Sequence, residues 1–316
     1  MLGIDISKDH LVCALRDEQG TTQQWTVPNS RGGVQQLLQT TARDVSWVLE
    51  PTGPYCRDVV TMAQQAGRTV LLAEPKRARA YLQSVSPRAK TDRIDSVGLA
   101  AYAQAVELRS FPQKSEIVEQ IEQLLSARRG ISQSITRLTQ QRNSLPHARE
   151  ALEPTIRELH ARRDALDEQI NEIRSSCPEL SDLTRRLKAV PGIGDVTANA
   201  LAACLSSRDF RHSDQFVAFT GLDVQVHESG RRQGKGRISK QGHAELRRLL
   251  YVAAKANIRA KDEDNPFKQQ YQRELDKGLP KPGAICSVAR KLARTAWSLH
   301  RYGSTYDPSR VNQQPR

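Results

Sequence analysis

A mixed α/β domain, a helical arm and a mainly α, basic C-terminal domain make up the fold class this sequence predicts. Three observations carry that reading. Short β-branched runs alternate with helical patterns up to about residue 106. Leu, Ile and Val recur at helical spacing from 115 to 175. All of the excess positive charge falls after residue 183.

The elements follow in order. LGIDIS at 2–7, HLVCALR at 10–16 and TTQQWTVP at 21–28 are short runs separated by turn-forming residues, and they predict a three-stranded antiparallel meander. Residues 31–42 predict a helix, and VSWVLEP at 45–51 a buried strand. PYCRDVVTMAQQAG at 54–67 is a helix ended by Gly67, and TVLLAEP at 69–75 is a strand closed by Pro75. Helical pattern returns at 76–84 and 91–106. The order strand, strand, strand, helix, strand, helix, strand, helix is ribonuclease H-like. Three antiparallel strands lead, and two later strands join through helices.

Beyond 115, one apolar set runs Ile117, Ile121, Leu124, Leu125, Ile131, Ile135, Leu138, and a second Ile156, Leu159, Leu166, Ile170, Ile173. Pro146 and Pro154 interrupt the pattern between them. The expectation is two long helices folded back as a hairpin or coiled coil. LTRRLKAVPGIGDVTANALAACL at 183–205 reads as helix–hairpin–helix, in which Gly192 and Gly194 let backbone N–H groups approach a phosphate. A short helix, SDQFVAFTGL, a polar strand, DVQVHES, and an amphipathic helix at 243–260 follow. A tail from about 303 is expected to be disordered. The predicted domains are 1–112, 113–180, 181–302 and the tail 303–316.

Composition bounds the function. The 316 residues suffice for two modest cores. No apolar run of about 18 residues exists, and no secretory signal pattern opens the chain, so a cytoplasmic protein without membrane partners is expected. Cys13, Cys56, Cys177, Cys204 and Cys286 are scattered and lack CxxC spacing, which argues against disulfides and cysteine zinc sites. Net charge is +13, distributed as +2 over 1–112, −2 over 113–182 and +13 over 183–316. Such localised charge suits a polyanion, because Lys and Arg release counterions from phosphates. Arg231, Arg232, Lys235, Arg237, Lys240, Arg247 and Arg248 would clamp phosphates, with Gly230, Gly234, Gly236 and Gly242 keeping the backbone thin.

Four carboxylates stand out. Asp5 interrupts the first strand between Ile4 and Ile6, against strand propensity. Glu50 ends the fourth strand. Asp92 and Asp95 share one face at a helix start. In a ribonuclease H-like sheet the first and fourth strands are neighbours and the final helix crosses their ends, so the four would converge. Converging carboxylates need a cation, and hard oxygen ligands suit Mg²⁺. Two such ions about 3.5–4 Å apart serve phosphoryl transfer.

The blocks GIDISK, LEPTGPY and KTDRIDSVGLAAYA resemble the insertion-sequence-110 family of transposases, which includes Piv-type DNA invertases and bridge-RNA-guided recombinases. VPGIGDVTANAL, FVAFTGL and ESGRRQGKGRISKQGHAELRRLLY are similar to its C-terminal half. The resemblance spans roughly 2–300, with the arm matching in type more than in sequence. It implies a RuvC-like fold with an Asp–Glu–Asp–Asp metal site at Asp5, Glu50, Asp92 and Asp95. It implies also a serine that forms a covalent 5′-phosphoserine link. Ser229 is the closer match to that nucleophile; Ser239 could be one too, or a helix N-cap or a phosphate contact. His227 and Glu228 lie nearby, and neither is an obvious base. The resemblance further implies a guide RNA, double-stranded target and donor DNA, a dimer or tetramer, and a place on the bacterial nucleoid. The alternatives are a metal-dependent junction resolvase without covalent intermediate, and a non-catalytic binding module.

Overall fold

A computed structural model describes residues 1–51, 53–85, 91–225, 228, 229, 232, 233 and 236–311, with 228–233 described through backbone pairing. The chain divides into two compact units, Met1–Gln113 and Lys114–Arg316.

The first unit is a mixed sheet with helices. Its strands are β1 (Leu2–Ile6), β2 (His10–Arg16), β3 (Thr22–Pro28), β4 (Trp47–Leu49), β5 (Val70–Leu72) and β6 (Arg109–Ser110). They lie in the order β3-β2-β1-β4-β5-β6. β1 pairs antiparallel with β2 and parallel with β4; β4 and β5 are parallel; β6 closes the edge antiparallel to β5. The helices are α1 (Arg31–Thr40), α2 (Arg57–Gln65), α3 (Pro75–Val85) and α4 (Asp92–Ala105). Ser30 caps α1 and Thr91 caps α4, each accepting from a backbone N–H of the first turn.

Alternation along β1 sorts the two faces. Leu2, Ile4 and Ile6 pack with Val34 and Leu37 of α1 and with Val59 and Ala63 of α2. Gly3 points the other way, against α4: a Cβ there would stand 2.0 Å from the Ser96 carbonyl oxygen and 2.7 Å from the Ala100 nitrogen. Glycine thus lets α4 lie directly on β1. Val48, Leu99, Tyr102 and Ala103 complete the core on that side. The mixed α/β expectation agrees with this sheet. The two-residue β6 carries no apolar run, which is why periodicity missed it.

The second unit is mostly helical. α5 (Glu116–Ser144) and α6 (Arg149–Ser175) pack together as an antiparallel hairpin about the short Pro146–Ala148 turn. Arg128–Asp167 and Arg142–Glu153 share one register across it. Pro154 does not interrupt the arm as the sequence suggested. It sits inside α6, early in the helix, and Pro146 alone marks the turn. Val118, Ile121 and Ile170 at the arm's base join one core with α7 (Pro178–Lys188), α8 (Asp195–Ser206), α9 (Ser213–Thr220), α10 (Ala244–Arg259) and α12 (Lys281–Tyr302), plus Phe267 of α11 (Pro266–Asp276).

Of the expected polar strand DVQVHES, β7 (Val224–Gln225) pairs with β10 (Arg237–Ile238) and β8 (Glu228–Ser229) with β9 (Arg232–Gln233), while Val226 and His227 lie outside the described residues. One further expectation changes. The tail is ordered as far as 311. Val311 is buried in the core, and Tyr306 stacks on Phe267 with centroids 6.4 Å apart. Those two apolar anchors outweigh the polar composition that suggested disorder; 312–316 lie outside the described residues. The five cysteines are free thiols. No helix among the described residues is long and apolar enough to cross a membrane.

Candidate functional site

The last parallel pair between β1 and β4 is Ile4 with Leu49. Asp5 and Glu50 each follow by one residue, so they leave the sheet side by side. Asp5 shares the face of Gly3, and Glu50 that of Val48, which is the face covered by α4. α4 runs against β1. Gly3 meets Ser96 and Ala100, while Gln104 donates to the Asp17 carbonyl (2.9 Å) beyond the start of β1. The first turn of α4, with Asp92 and Asp95, therefore lies toward the strand ends that carry Asp5 and Glu50. Gln24 of β3 tethers that turn by donating to the Arg93 carbonyl, 2.8 Å. Asp5, Glu50 and Asp95 are half-buried and Asp92 is exposed.

The four carboxylates thus share one end and one face of the sheet. Among the described residues, however, no three His, Cys, Asp or Glu side chains are grouped closely enough to hold a metal ion. The donor chemistry, carboxylate oxygens on a half-hydrated face, fits a hard divalent cation. Like charges with no cation between them repel, so a looser arrangement is the physical expectation.

The second candidate region is the segment 219–247. α9 stops at Gly221, which adopts a left-handed conformation with φ +68°. The β7/β10 pairing then encloses the β8/β9 pairing, in which Ser229 is opposite Arg232. Gly230, Arg231, Gly234 and Lys235 lie outside the described residues, as do His227 and the side chains of Ser229 and Arg232. At the base, the Ser239 hydroxyl donates to the Asp223 carboxylate and accepts from the Gln241 N–H at 3.2 Å. The Ser239 N–H donates to the Asp223 carbonyl at 2.9 Å, and Lys240 follows at φ +54°. His243 caps α10, its Nδ1 accepting from the Leu246 N–H.

The basic residues divide by role. Arg237 and Lys240 are exposed. Arg247 is committed to the fold, donating to the Thr220 carbonyl at 3.0 Å. Arg248 makes a two-pronged pair with Glu245 at 2.9 and 2.6 Å. In the α7–α8 turn, Gly192 (φ +79°) is held against α10: a Cβ there would stand 2.3 Å from Asn257 Nδ2. Asn257 donates to the Pro191 carbonyl (2.7 Å) and accepts from Asn265 (2.9 Å). Gly194 caps α8 with open space around it. Sequence reasoning missed Gly3, Asp223 and Asn257. Gly3 beside Asp5 was the one available signal, since glycine in a strand marks close backbone approach.

Comparison with known proteins gives the chemistry its class. Residues 2–145 match the DEDD transposase model of the IS110 type, described as "Transposase". Residues 184–272 match the "Transposase IS116/IS110/IS902 family". The pilin gene-inverting protein of Moraxella bovis is 27% identical over 97% of both chains. The transposase of insertion sequence element IS1111A from Coxiella burnetii is 24% identical, over 97% of this chain and 91% of that one. A probable family 20 transposase of Pseudomonas aeruginosa is 33% identical over 50% of this chain and 46% of its own. A mixed sheet with acidic strand ends, joined to a basic helical unit and matched at both ends by transposases, is a DNA recombinase or transposase enzyme. The chain belongs to the IS110 family of transposases.

Proposed function

We propose that this chain is a site-specific recombinase that cleaves and rejoins DNA through a 5′-phosphoserine link formed by Ser229, with a divalent cation held by Asp5, Glu50, Asp92 and Asp95. The observation that carries the reading is the register of β1 and β4: it puts Asp5 and Glu50 side by side on the face where α4 begins with Asp92 and Asp95. In this reading residues 1–112 are a RuvC-like domain, 113–180 an arm, and 181–302 a transposase domain whose Pro191–Gly194 turn serves as the hairpin of a helix–hairpin–helix.

When bound, Mg²⁺ (two per site in this reading) would stabilise charge on the phosphate oxygens and the departing oxygen. Asp5, Glu50, Asp92 and Asp95 would hold that charge in place through their carboxylate oxygens. The Ser229 Oγ attacks phosphorus. An Oγ–P bond forms, the P–O3′ bond breaks, and the serine proton leaves through solvent as the 3′ oxygen takes one up. Rejoining reverses the step with another 3′-hydroxyl. One ester replaces another, so no external energy source is required. The pilin gene-inverting relatives support inversion as well as transposition. The resemblance supplies the guide RNA, which would pair with target and donor DNA, and a homo-oligomer on the nucleoid.

The test uses cells carrying the gene with its native flanking DNA on a plasmid. Recombination is expected to disappear in Asp5→Asn, Glu50→Gln, Asp95→Asn and Ser229→Ala. A protein–DNA adduct on a denaturing gel is expected with the unaltered chain and absent in Ser229→Ala. Hydrolytic nicking with no adduct would favour a junction resolvase instead. Deleting flanking noncoding DNA that encodes a structured transcript, then supplying that transcript in trans, tests RNA guidance; the expected result is loss followed by rescue.

A further inference from the structure

We infer that Ser239 and Asp223 form a latch that sets the register of the hairpin carrying Ser229, so that Ser239 is a positioning residue and not the nucleophile. The inference rests on the reading of Ser229 given above and resolves the competition between the two serines.

The latch stands where the segments 219–223 and 239–247 cross. Three hydrogen bonds knot residues 223, 239 and 241: hydroxyl to carboxylate, Ser239 N–H to the Asp223 carbonyl, and Gln241 N–H to the hydroxyl. The knot continues without a break. Lys240 N–H donates to the Gly221 carbonyl at 3.1 Å, His243 N–H to the Phe219 carbonyl at 2.7 Å, and Arg247 to the Thr220 carbonyl. The two backbones lie in close contact: a Cβ on Gly242 would meet the Phe219 carbonyl oxygen at 2.3 Å. The next residues outward are the β7/β10 pairs, Val224 with Ile238 and Gln225 with Arg237.

Among the described residues the β7/β10 ladder has two pairs, which by themselves specify register weakly. A hydroxyl bonded to an ionised carboxylate supplies that register from outside, because charge-assisted hydrogen bonds are the strong ones. The crossing, not the hydroxyl proton, holds Ser239 out of the attacking role, since a carboxylate that accepts from a hydroxyl is also placed to act as its base. The Gln241 N–H occupies one lone pair of Oγ, and the Ser239 N–H is tied to the Asp223 carbonyl. Attack on phosphorus would have to break the crossing that shapes the segment. The α10 helix starts at Ala244, and His243 is its cap, so Ser239 is not the N-cap either.

Two measurements on the full chain test this. Hydrogen exchange is read at 224–225 and 237–238. The adduct is trapped in cells with the native flanking DNA, and its peptide is mapped by mass. Ser239→Ala is expected to speed exchange of those amides among the four that bond across the ladder and to slow adduct formation at Ser229 roughly 10- to 100-fold, the loss of one hydrogen bond to a charged group. Ser239→Thr, which keeps the hydroxyl, is expected to restore both, and Asp223→Ala to match Ser239→Ala. An adduct mapped to residue 239, or Ser239→Ala at wild-type exchange and rate, overturns the latch. So does faster exchange without a slower adduct. If the unaltered chain forms no adduct at all, the Ser229 reading fails separately. The exchange of Ser239→Ala then decides the latch alone: faster supports it, unchanged overturns it.

Discussion

The two units build their candidate sites in opposite ways. In the sheet unit the four acidic residues lie far apart in sequence, at 5, 50, 92 and 95, and strand register with one helix brings them to a common end. In the helical unit the crossing at 219–247 is local, and backbone hydrogen bonds between two short segments hold it. A site assembled by register depends on what lets the elements approach. A site assembled by a crossing depends on glycines and on a few buried amide groups. Mutations should separate these modes.

The largest effect is expected at Asp5. Asp5→Asn keeps size and shape, so thermal stability should stay within a few degrees of wild type while recombination falls roughly a thousandfold or more, the scale of lost metal assistance. A recombination rate unchanged in Asp5→Asn would break the view that the sheet unit carries chemistry. Gly3→Ala asks whether the approach of α4 to β1 assembles the site. The added methyl would meet the backbone of Ser96 and Ala100. It should destabilise the sheet unit by about 3 kcal/mol, the upper range for overpacking against groups that cannot yield. Denaturant unfolding followed by Trp25 and Trp47 fluorescence measures it.

Asn257→Ala sharpens the other side of the comparison. It leaves the Pro191 carbonyl and the Asn265 amide without their buried partner. A loss of about 2 kcal/mol is expected from two unsatisfied groups, and DNA affinity should fall with it if the Pro191–Gly194 turn contacts phosphate. Lys240→Ala should act on binding alone. The slope of log affinity against log salt should shrink by about one for a phosphate contact. Arg248→Ala should shrink it less, since Glu245 already holds that guanidinium.

The smallest effect is a pH dependence of the helical unit. Burial is the main cause holding the His300 imidazole below its ordinary value of 6.5, helped by Arg186 and Arg301 and opposed by Asp209. The unfolded chain therefore binds a proton more readily than the folded one. Stability from this group is present above about pH 6.5 and is lost as pH falls through that value toward the depressed folded one. Thermal unfolding between pH 7.5 and 5.5 should show a drop that His300→Gln reduces.

Much of the sheet unit was legible because β-branched alternation and helix caps are local signals. Asp5 betrayed itself as a charge inside an apolar strand, and Asp92 and Asp95 as a pair at a capped helix start. β6 was not legible, since its two residues take strand form only by pairing with β5. The helical unit was harder to read. Polar composition at 303–311 suggested disorder, and only the packing of Tyr306 and Val311 decides otherwise. Pro154 suggested a break; at the sixth position of α6 it removes one i→i−4 hydrogen bond, and the hairpin packing carries α6 through it.

By itself, then, the sequence determined the mixed α/β start, the long helices, the place of the positive charge and the identities of the acidic residues, because each rests on local pattern and composition. The tertiary structure supplied the register behind the expected convergence of Asp5 and Glu50, and it alone decided that Gly3 admits α4 and that Ser239 is tied to Asp223. These depend on which segments meet in space, and such a meeting leaves no period in a linear chain.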